Sequence, residues 1–577
     1  MKHLIIFSVG PVQDFINTAR RSRDLWYGSW MLSELSKAAA KNIADSGFLD
    51  WLVFPHPADI RLLEPASQYS SPNKVIAVVD NPERIATGVR TAVGARLQEL
   101  WADAKSHIHG RAYNEGVANQ QVDDLLEFYW VSVPFEESNA GNYAEARNKA
   151  EMFLAARKTI RNFQQPTWSA GTPKSSLDGA RESVIPRAEY AERNDTEDVR
   201  TQKTKNLYTR YRARRGEQLS GVDLLKRLGR LDSTPNFKST SDMAALPFVE
   251  KFNQKNGEAQ TLIEALRAKL PVDSDTLDGA EEGLVFESRF EDAFPTQKLT
   301  PEQRADYLNL LKKYAGNATP TAYYALLAAD GDFMGKIIDG QTRMETHQNI
   351  SQSLARFVQH AREIVGRTQG VLIYSGGDDV LAYLPLPSVL DCANELQSTF
   401  GSLMEEYAIS DGKGGTIKPS LSVGIVIVHH LEPLSNALQL VRKAEKDAKV
   451  VEGKNGLAII LSKRSGVDRS ISDKFSVLHA RLTELITYAR DGAISGGTAY
   501  ELHELHQVLF NTEIPPDAKA KEAIRIVERK RESGSDQQVN EQVKASFAGW
   551  IQTISLDELA REMIVAKELA GIEGEAQ

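Results

Sequence analysis

The chain has 577 residues, which is too long for one hydrophobic core and predicts about four domains. Its formal net charge of -9 argues against a protein that coats nucleic acid over its whole surface, so any nucleic acid contact must be local. The single cysteine, Cys392, excludes an internal disulfide framework and a thiolate zinc cluster, and it fits a reducing cytoplasm.

The first 145 residues predict one ferredoxin-like unit with the element order βαββαβ. "HLIIFS", "DWLVFP", "KVIAVVD" and "LEFYWVSVPF" have the apolar, β-branched character of strands, and helical stretches begin at Pro11 and at Pro82. The apolar run at the start is too short for a signal peptide, and no segment approaches ~18 uninterrupted apolar residues. We therefore expect a soluble cytoplasmic protein with no membrane contact.

Residues 146–320 are charged, interrupted by Pro and Gly, and mainly helical in pattern, which predicts an inserted helical domain. Residues 467–577 are again helical in pattern, with a polar break at "RESGSDQQVN", and predict a C-terminal helical bundle.

Residues 321–466 repeat the order βαββαβ with different contents. "TAYYALLAAD" is a strand that ends at Asp330. "VLIYS" and "VLAYL" form a hairpin whose tip is Gly376, Gly377, Asp378 and Asp379, and paired glycines permit the positive φ of a primed turn. "PSLSVGIVIV" and "GLAIIL" are strands on either side of the helix "LSNALQLVRKAEKDAKVV". The predicted fold class is α+β, with two ferredoxin-like units, a helical insert and a C-terminal helical bundle.

Three carboxylates of the second unit are expected to converge. The first and third strands of a ferredoxin-like unit are neighbours, so Asp330 should approach Asp378 and Asp379. Such a cluster repels itself without a cation, and Mg²⁺ (or Mn²⁺) suits a few carboxylates plus substrate phosphates. Two such metals can activate a hydroxyl and stabilise a leaving pyrophosphate. Gly376 and Gly377 admit a nucleotide close to the backbone, and Lys449 is placed to contact phosphate.

Each of these motifs also has an ordinary structural interpretation. Taken alone, "GGDD" is an ordinary hairpin turn with solvated aspartates, and "DGD" is a still weaker indication of a metal site. Lys449 taken alone is a solvated helix end. The sequences "HIH" at 107–109 and "HH" at 429–430 predict surface histidines, and Cys392 predicts a buried helix residue. Arg20, Arg21 and Arg23 predict in part a solvated face, with phosphate contact as the alternative.

The chain resembles the large palm-domain subunit of type III CRISPR effector complexes, and within that family the III-B (Cmr) branch. The resemblance is carried by "FSVGPVQDFINTARRSRDLWYGSWMLSEL", "ARKTIRNFQQ", "GEQLSGVDLLKRLG", "AADGDFMGK" and "YSGGDDVLAYLP", and it covers most of residues 1–465. It implies a degenerate palm at 1–145, a helical insert at 146–320, a GGDD palm at 321–466 and a C-terminal helical domain at 467–577.

The resemblance implies a function as well as a fold. The family converts ATP to 3′–5′ cyclic oligoadenylates when the guide-loaded complex binds target RNA, so the implied partners are the other complex subunits, guide RNA, target RNA and ATP. The implied metal ligands are Asp330, Asp378 and Asp379. The implied nucleotide contacts are Ser375, Gly376, Gly377, Gly331, Asp332 and Lys449 in the second palm and Ser8, Gly10, Pro11 and Gln13 in the first.

The sequence departs from the family pattern at two places. No His-Asp dipeptide occurs, so a family nuclease domain and its DNA cleavage are not expected. The two zinc-binding Cys-x-x-Cys pairs of many members correspond here to "SSLD" and "SGVD", with Ser175, Asp178, Ser220 and Asp223. Because thiolates give a structural zinc site its affinity, we expect no zinc and an insert held by packing or hydrogen bonds.

Other functions remain open at this stage. The chain is alternatively a catalytically silent scaffold, or it transfers AMP to another acceptor such as S-adenosylmethionine. A GGDEF-type dinucleotide cyclase is disfavoured because Asp379 and Val380 stand where that class has Glu-Phe. We expect the "SVGPVQ" loop of the first palm, which has no paired aspartates, to shape an acceptor pocket; a helix entry with Pro11 in its first turn is the alternative.

Overall fold

The computed structural model describes most of the chain, in eleven segments: residues 1–108, 112–136, 142–160, 171–233, 237–253, 261–269, 282–289, 300–410, 414–509, 515–529 and 537–571. The four strands of the first sheet are β1 (Lys2–Gly10), β2 (Leu52–Phe54), β3 (Lys74–Val79) and β4 (Glu127–Phe135). They are antiparallel in the order β2-β3-β1-β4, which is the ferredoxin-like order predicted for this part of the chain.

The second sheet contains six strands, in the order β12-β11-β10-β5-β7-β6. These are β5 (Tyr323–Gly331), β6 (Val371–Ser375), β7 (Val380–Leu384), β10 (Leu421–His429), β11 (Gly456–Ser462) and β12 (Arg469–Lys474), while β8 (Ile409–Ser410) and β9 (Thr416–Ile417) pair separately. Strands β5, β6, β7 and β10 form the predicted second ferredoxin-like unit, and the predicted α+β fold class is confirmed.

One strand of this sheet lies in the segment that the sequence predicted to be helical. Strand β12 extends the sheet by antiparallel pairing with β11, although its sequence "RSISDK" has Ile471 as its only apolar residue. An edge strand with one apolar side chain has too little hydrophobic alternation to stand out from the surrounding polar sequence. The other predicted domain boundaries stay predictions.

The helices fall into the two ferredoxin-like units, the insert and the C-terminal region. In chain order they are Gln13–Asn17, Ser22–Ile43, Pro82–Ser106, Glu115–Asp123, Asn142–Thr159, Glu197–Tyr211, Gly221–Leu228, Thr240–Asn253, Leu262–Lys269, Pro301–Ala315, Met334–Asp339, Met344–Arg367, Val389–Met404, Leu434–Val450, Phe475–Arg490, Gly496–Leu509, Pro516–Arg529, Gln537–Trp550 and Leu556–Leu569. None of these helices, all within the described segments, combines the length and the hydropathy needed to span a bilayer.

The second sheet is buried on both faces, because alternate side chains of β5 enter two different cores. Leu326 and Ala328 join the core that also contains Ile5 and Phe7 of the first sheet. Leu327 and its neighbours join a second core, which includes the apolar sides of the C-terminal helices Phe475–Arg490 and Leu556–Leu569. The C-terminal helices therefore pack as part of the second ferredoxin-like unit rather than apart from it.

The two ferredoxin-like units contact each other through equivalent elements. The first long helix of the first unit, Ser22–Ile43, packs against β6, and the first long helix of the second unit, Met344–Arg367, packs against β2. Polar contacts reinforce this reciprocal packing: the His56 N–H donates to Ser351 Oγ at 2.8 Å, and Ser70 Oγ donates to the Ser375 carbonyl at 2.8 Å. The units therefore form an internal pseudo-dimer, and the second contact reaches the residue just before the hairpin tip.

Residues 20–23 attach the inserted domain to the first unit. The buried Arg23 guanidinium donates to the carbonyls of Arg227 at 2.9 Å and Gly229 at 2.7 Å, at the end of the insert helix Gly221–Leu228. The Arg227 guanidinium in turn donates to both carboxylate oxygens of Asp24, at 2.9 and 3.0 Å. The prediction of a solvated face is wrong for Arg23, because the insert covers it.

Ser175, Asp178, Ser220 and Asp223 do come together in the insert, and hydrogen bonds join them. The Asp223 carboxylate accepts from Ser175 Oγ at 2.7 Å, Ser220 Oγ at 2.7 Å and the Ser220 N–H at 2.8 Å. Asp178 accepts from the backbone N–H of Arg181 at 3.0 Å and from its guanidinium at 2.9 Å. Burial raises the pKa of Asp223. This cluster supplies the hydrogen-bonded support that the sequence predicted.

We expect Asp223→Ala to destabilise the inserted domain by about 2–4 kcal/mol, because it leaves buried donors without an acceptor. The measurement is thermal unfolding of the full chain, with the exposed Asp198→Ala as the matched control. Elemental analysis should find no stoichiometric zinc. One zinc per chain, or equal unfolding midpoints for the two variants, would contradict this account of the insert.

Candidate metal and nucleotide site

Three carboxylates meet where β5 ends beside the tip of the β6–β7 hairpin. Asp330 is the next-to-last residue of β5, and Asp378 and Asp379 precede β7, which pairs with β5. One ligand oxygen from each of the three lies within 4.8 Å of the other two. The predicted convergence is confirmed, and in the described part of the chain this is the one group of three or more acidic, His or Cys ligands at such a spacing.

Two glycines make this arrangement sterically possible. Gly377 has φ of 122°, a backbone conformation that residues with a Cβ rarely adopt. A Cβ at Gly331 would lie 2.8 Å from the Cβ of Asp378, so only glycine at the end of β5 lets the hairpin tip approach. Gly376 does not have the positive φ that was predicted for both tip glycines; a Cβ there would instead overlap the Tyr374 hydroxyl.

The electrostatics of the cluster favour a bound cation. Burial, and after it the charge of Asp379, raises the pKa of Asp378 from 3.8 to about 7, and burial also raises the pKa of Asp379. Carboxylates held together in this way are unfavourable when ionised, and a divalent cation with oxygen ligands relieves the repulsion. The donor set, all carboxylate oxygens, fits Mg²⁺ or Mn²⁺.

The helix Leu434–Val450 adds a basic and an acidic side chain to the site. Lys449 Nζ forms an ion pair with Asp330, and it lies 3.3 Å from the Glu445 carboxylate one turn earlier. Burial, and after it the charge of Lys454, lowers the pKa of Lys449 to about 8. Burial and the charge of Asp379 raise the pKa of Glu445. Lys449 was predicted from the sequence and Glu445 was not, although their i,i+4 spacing puts both on one helix face.

Close packing fixes the position of this helix. A Cβ at Gly424 of β10 would overlap the backbone nitrogen of Glu445, and a Cβ at Gly456 of β11 would overlap the Ala448 carbonyl. The helix therefore lies directly on the two strands, with Glu445 and Lys449 directed toward Asp379 and Asp330.

Asp332 has a different position from the one predicted. Its carboxylate is fully buried and accepts from Ser420 Oγ at 2.7 Å, Ser422 Oγ at 2.9 Å and the Asn455 N–H at 2.9 Å. These bonds tie the end of β5 to β10 and to the loop before β11. A carboxylate buried among these partners holds in place the end of β5, which also carries Asp330.

The remaining predicted contacts of the second palm lie around the hairpin tip. Ser375 is buried, and its hydroxyl has no hydrogen-bond partner among the residues that the structure describes. The Gly376 N–H donates to the Asp379 carbonyl at 3.2 Å and closes the tip. The Lys454 ammonium lies 4.4 Å from the centre of the ring of Phe333, the residue that follows Asp332 in the sequence. The charge of Lys454 also contributes to the lowered pKa of Lys449, so these two basic side chains lie near each other.

The predicted acceptor residues lie in the first palm at the place equivalent to Asp330. Ser8 and Gly10 belong to β1 rather than to a loop; Ser8 is buried opposite Lys74 and Tyr129, and Gly10 is opposite Glu127. Only Pro11 and Val12 lie between β1 and the helix that begins at Gln13. The predicted loop is shorter because the strand pairing continues through Gly10, and Pro11 precedes the helix instead of lying in its first turn.

The histidines and the cysteine have structural positions. His430 is buried rather than on the surface: its Nδ1 lies 2.9 Å from Ser241 Oγ and its ring stacks on Phe286 at 4.2 Å, which attaches the insert to β10. Burial lowers the pKa of His430 to about 3. Cys392 is buried in its helix as predicted, whereas His109 of the "HIH" sequence lies outside the described residues.

Two family models match the chain in the two ferredoxin-like units. Residues 323–458 match the model described as Cas10/Cmr2, second palm domain, and residues 4–105 match the model described as CRISPR-associated protein Cmr2, N-terminal. The first match includes Asp330, Asp378, Asp379 and Lys449, and the second includes β1 and the helix Ser22–Ile43.

Known proteins similar to the chain carry the same description. The CRISPR system Cmr subunit Cmr2 of Pyrococcus furiosus is 27% identical over 559 residues, which cover 80% of this chain and 62% of that protein. The chain thus spans less than two thirds of that relative's length. The Cmr2 subunit of Saccharolobus solfataricus is 31% identical over 100 residues, 15% of this chain and 10% of that protein.

Solved structures share the fold. A type III-B Cmr-beta cryo-EM structure in the apo state aligns with a TM-score of 0.64 at 14% identity, over 93% of this chain and 78% of the other. The Cmr-beta structure bound to cognate target RNA aligns with a TM-score of 0.60 at 15% identity, over 93% and 79%.

The raised pKa of Asp378 predicts how stability depends on pH in the absence of metal. In the folded state this carboxyl binds its proton up to about pH 7, whereas in the unfolded chain it loses the proton near pH 4. Between these values the folded state binds more protons, so stability falls as pH rises. We expect the thermal midpoint in EDTA to fall more between pH 5 and 8 in the parent than in Asp378→Asn, with Asp198→Asn as control. Equal pH dependence in parent and Asp378→Asn would refute this.

Proposed function

Because this chain belongs to the Cas10/Cmr2 family, we propose that it is the nucleotidyltransferase subunit of an RNA-guided type III-B CRISPR effector complex, and that it makes cyclic oligoadenylates from ATP when target RNA binds. The observation that carries this proposal is the group formed by Asp330, Asp378 and Asp379 at the end of β5. A silent scaffold subunit has no need to hold three mutually repelling carboxylates at this spacing.

The carboxylates would hold Mg²⁺ or Mn²⁺ with the triphosphate of a donor ATP. Held by these residues, such a metal would supply Lewis-acid chemistry for activating the attacking 3′-hydroxyl and for stabilising charge on the leaving pyrophosphate. The chain's own contribution is geometric: Gly331 and Gly377 place Asp378 beside Asp330, and Asp332 fixes the end of β5 through Ser420 and Ser422. The site therefore positions metal and phosphate before the chemistry begins.

Lys449 is proposed to contact the donor phosphates. Its ion pair with Asp330 keeps the ammonium next to the position of the metal, and the lysine stem reaches the site from a rigidly packed helix. A phosphate group near Lys449 would add a negative charge and so favour the protonated ammonium despite its partial burial. Glu445, which contacts Lys449, would hold this side chain in place.

The first palm is proposed to hold the acceptor nucleotide. It has the same strand order as the second, yet the end of β1 carries Ser8 and Gly10 where the end of β5 carries Asp330. Pro11 follows β1, and Gln13 begins the next helix. Reciprocal packing of the two palms brings equivalent elements together around a pseudo-two-fold relation. Bond formation needs a donor and an acceptor nucleotide, and this pairing of palms offers one position for each.

We expect Asp378→Ala combined with Asp379→Ala to eliminate product formation, because the site keeps only one of its three metal ligands. The assay incubates the assembled complex with ATP, Mg²⁺ and target RNA and identifies the product by mass spectrometry. Asp123→Ala with Asp124→Ala is the matched control, since it removes an adjacent aspartate pair that is exposed and far along the chain in the first palm.

Complex assembly and target RNA binding should be intact in the double variant. Synthesis at the parental rate would remove these carboxylates from the metal site. A parental complex that gives no product would favour the scaffold, and a product that carries AMP on S-adenosylmethionine would change the acceptor while keeping the site.

A further inference from the structure

The loop between β2 and β3 of the first palm, residues 55–73, occupies the place in that palm that the hairpin tip occupies in the second. Both palms have the same strand order, so the β2–β3 pair corresponds to the β6–β7 pair. The second palm joins its two strands with residues 376–379, whereas the first palm uses this much longer loop. The loop contacts the second palm, and one of its contacts is to the residue just before the hairpin tip.

The helix Ser22–Ile43 fixes the middle of this loop through polar contacts. The Lys37 ammonium donates to the Ser67 carbonyl at 3.1 Å and to Ser67 Oγ at 3.0 Å. The Ala66 N–H donates to the Glu34 carboxylate at 2.9 Å. Lys37 and Glu34 are both buried and form an ion pair with each other. Because these two side chains are held by burial and by their mutual attraction, the loop residues bonded to them have a defined position as well.

Two hydrogen bonds join the loop to the second palm. The Arg362 guanidinium donates to the Gln68 carbonyl at 2.7 Å, and Ser70 Oγ donates to the Ser375 carbonyl at 2.8 Å. Strand β6, which ends at Ser375, is an outer strand of its sheet. An outer strand has one edge without a strand to pair with, so its peptide groups take partners from outside the sheet. Ser70 is such a partner at the last residue of β6.

The Ser375 carbonyl belongs to the peptide group that closes the hairpin tip. The N–H of the same peptide group is that of Gly376, which donates to the Asp379 carbonyl at 3.2 Å. Because a peptide group is planar, a bond that fixes the direction of its C=O also fixes the direction of its N–H. Gly376 and Gly377 have no side chains that could hold the tip, and glycine has the greatest backbone freedom of all residues. The orientation of the tip therefore depends on a bond from the first palm.

We propose that Ser70 is a positioning residue for the metal ligands: its bond to the Ser375 carbonyl holds the hairpin tip so that Asp378 and Asp379 face Asp330. The proposal rests on the metal site of the proposed function and adds that the first palm completes this site. Ser70 acts through the backbone of the hairpin. Without its bond the tip would be in the binding orientation for a smaller fraction of the time, which lowers the apparent metal affinity by that fraction.

Amide hydrogen exchange tests the positioning itself, without metal and without turnover. In the full chain in EDTA, Ser70→Ala should speed exchange in a peptide that covers residues 371–381 by about fivefold, as expected for the loss of one hydrogen bond. Ser70→Thr keeps the hydroxyl and should exchange at the parental rate. Ser388→Ala is the matched control, because Ser388 is also half-buried and its Oγ donates to another carbonyl near the second palm's sheet, that of Thr368, at 2.8 Å.

Metal binding is the second measurement. The full chain is titrated with Mn²⁺ alone, the free ion is followed by electron paramagnetic resonance, and Asp378→Ala with Asp379→Ala gives the background from other sites. Ser70→Ala should raise the dissociation constant by about fivefold, the same factor as in the exchange rate. In the assembled complex, this variant should need about five times more Mg²⁺ for half-maximal synthesis, with a rate at saturating Mg²⁺ within about twofold of the parental rate.

Parental exchange at the tip in Ser70→Ala would overturn the proposal, and so would faster exchange with parental Mn²⁺ affinity. Equal effects of Ser388→Ala, or a loss of synthesis that saturating Mg²⁺ does not restore, would also contradict it. Both changes in a chain whose parental complex makes no product would refute the proposed function and support the positioning role. Parental Mn²⁺ binding no stronger than the background would overturn the metal site and this proposal together.

Discussion

Mutual repulsion among Asp330, Asp378 and Asp379 is the constraint on which the site depends. Carboxylates with oxygens within 4.8 Å of one another destabilise the fold when all are ionised, and the pKa of Asp378, raised first by burial and then by the charge of Asp379, expresses part of this cost. The protein meets that cost with a closely packed framework. Strand pairing between β5 and β7 carries Asp330 to the hairpin tip, and the absence of a Cβ at Gly331 permits the final approach of Asp378.

The same framework connects the site to the rest of the chain. Asp332 joins β5 to β10 and β11 through Ser420, Ser422 and the Asn455 N–H. The helix Leu434–Val450 lies on those strands and carries Lys449 to Asp330. Arg23 and Arg227 fix the insert against the first palm, which contacts the second palm by reciprocal packing. Polar contacts and packing thus join the insert, the first palm and the second palm.

The sequence predicted the strands of both palms well, because they are long apolar runs with clear turn signals. It placed β6 and β7 at the residues where the structure has them, and the strand order followed from the ferredoxin-like pattern. It did not predict β12, where one isoleucine gives no pattern, or the burial of His430, which depends on insert residues distant in sequence. The sequence also predicted too long a loop after β1, because β1 stays paired with β4 through Gly10 and the length of that pairing depends on the partner strand.

The sequence predicted those site residues whose positions follow from strand order. It did not predict the burial of a side chain whose surroundings come from other parts of the chain. The convergence of Asp330, Asp378 and Asp379 follows from strand order, whereas the full burial of Asp332 depends on two serines at and just before the start of β10.

The most direct measurement of the metal site is a structure of the chain with Mn²⁺ and a non-hydrolysable ATP analogue, in which anomalous scattering locates the manganese. The predicted result is manganese coordinated by Asp330, Asp378 and Asp379 with the donor triphosphate beside Lys449. Nucleotide bound with manganese elsewhere would contradict it.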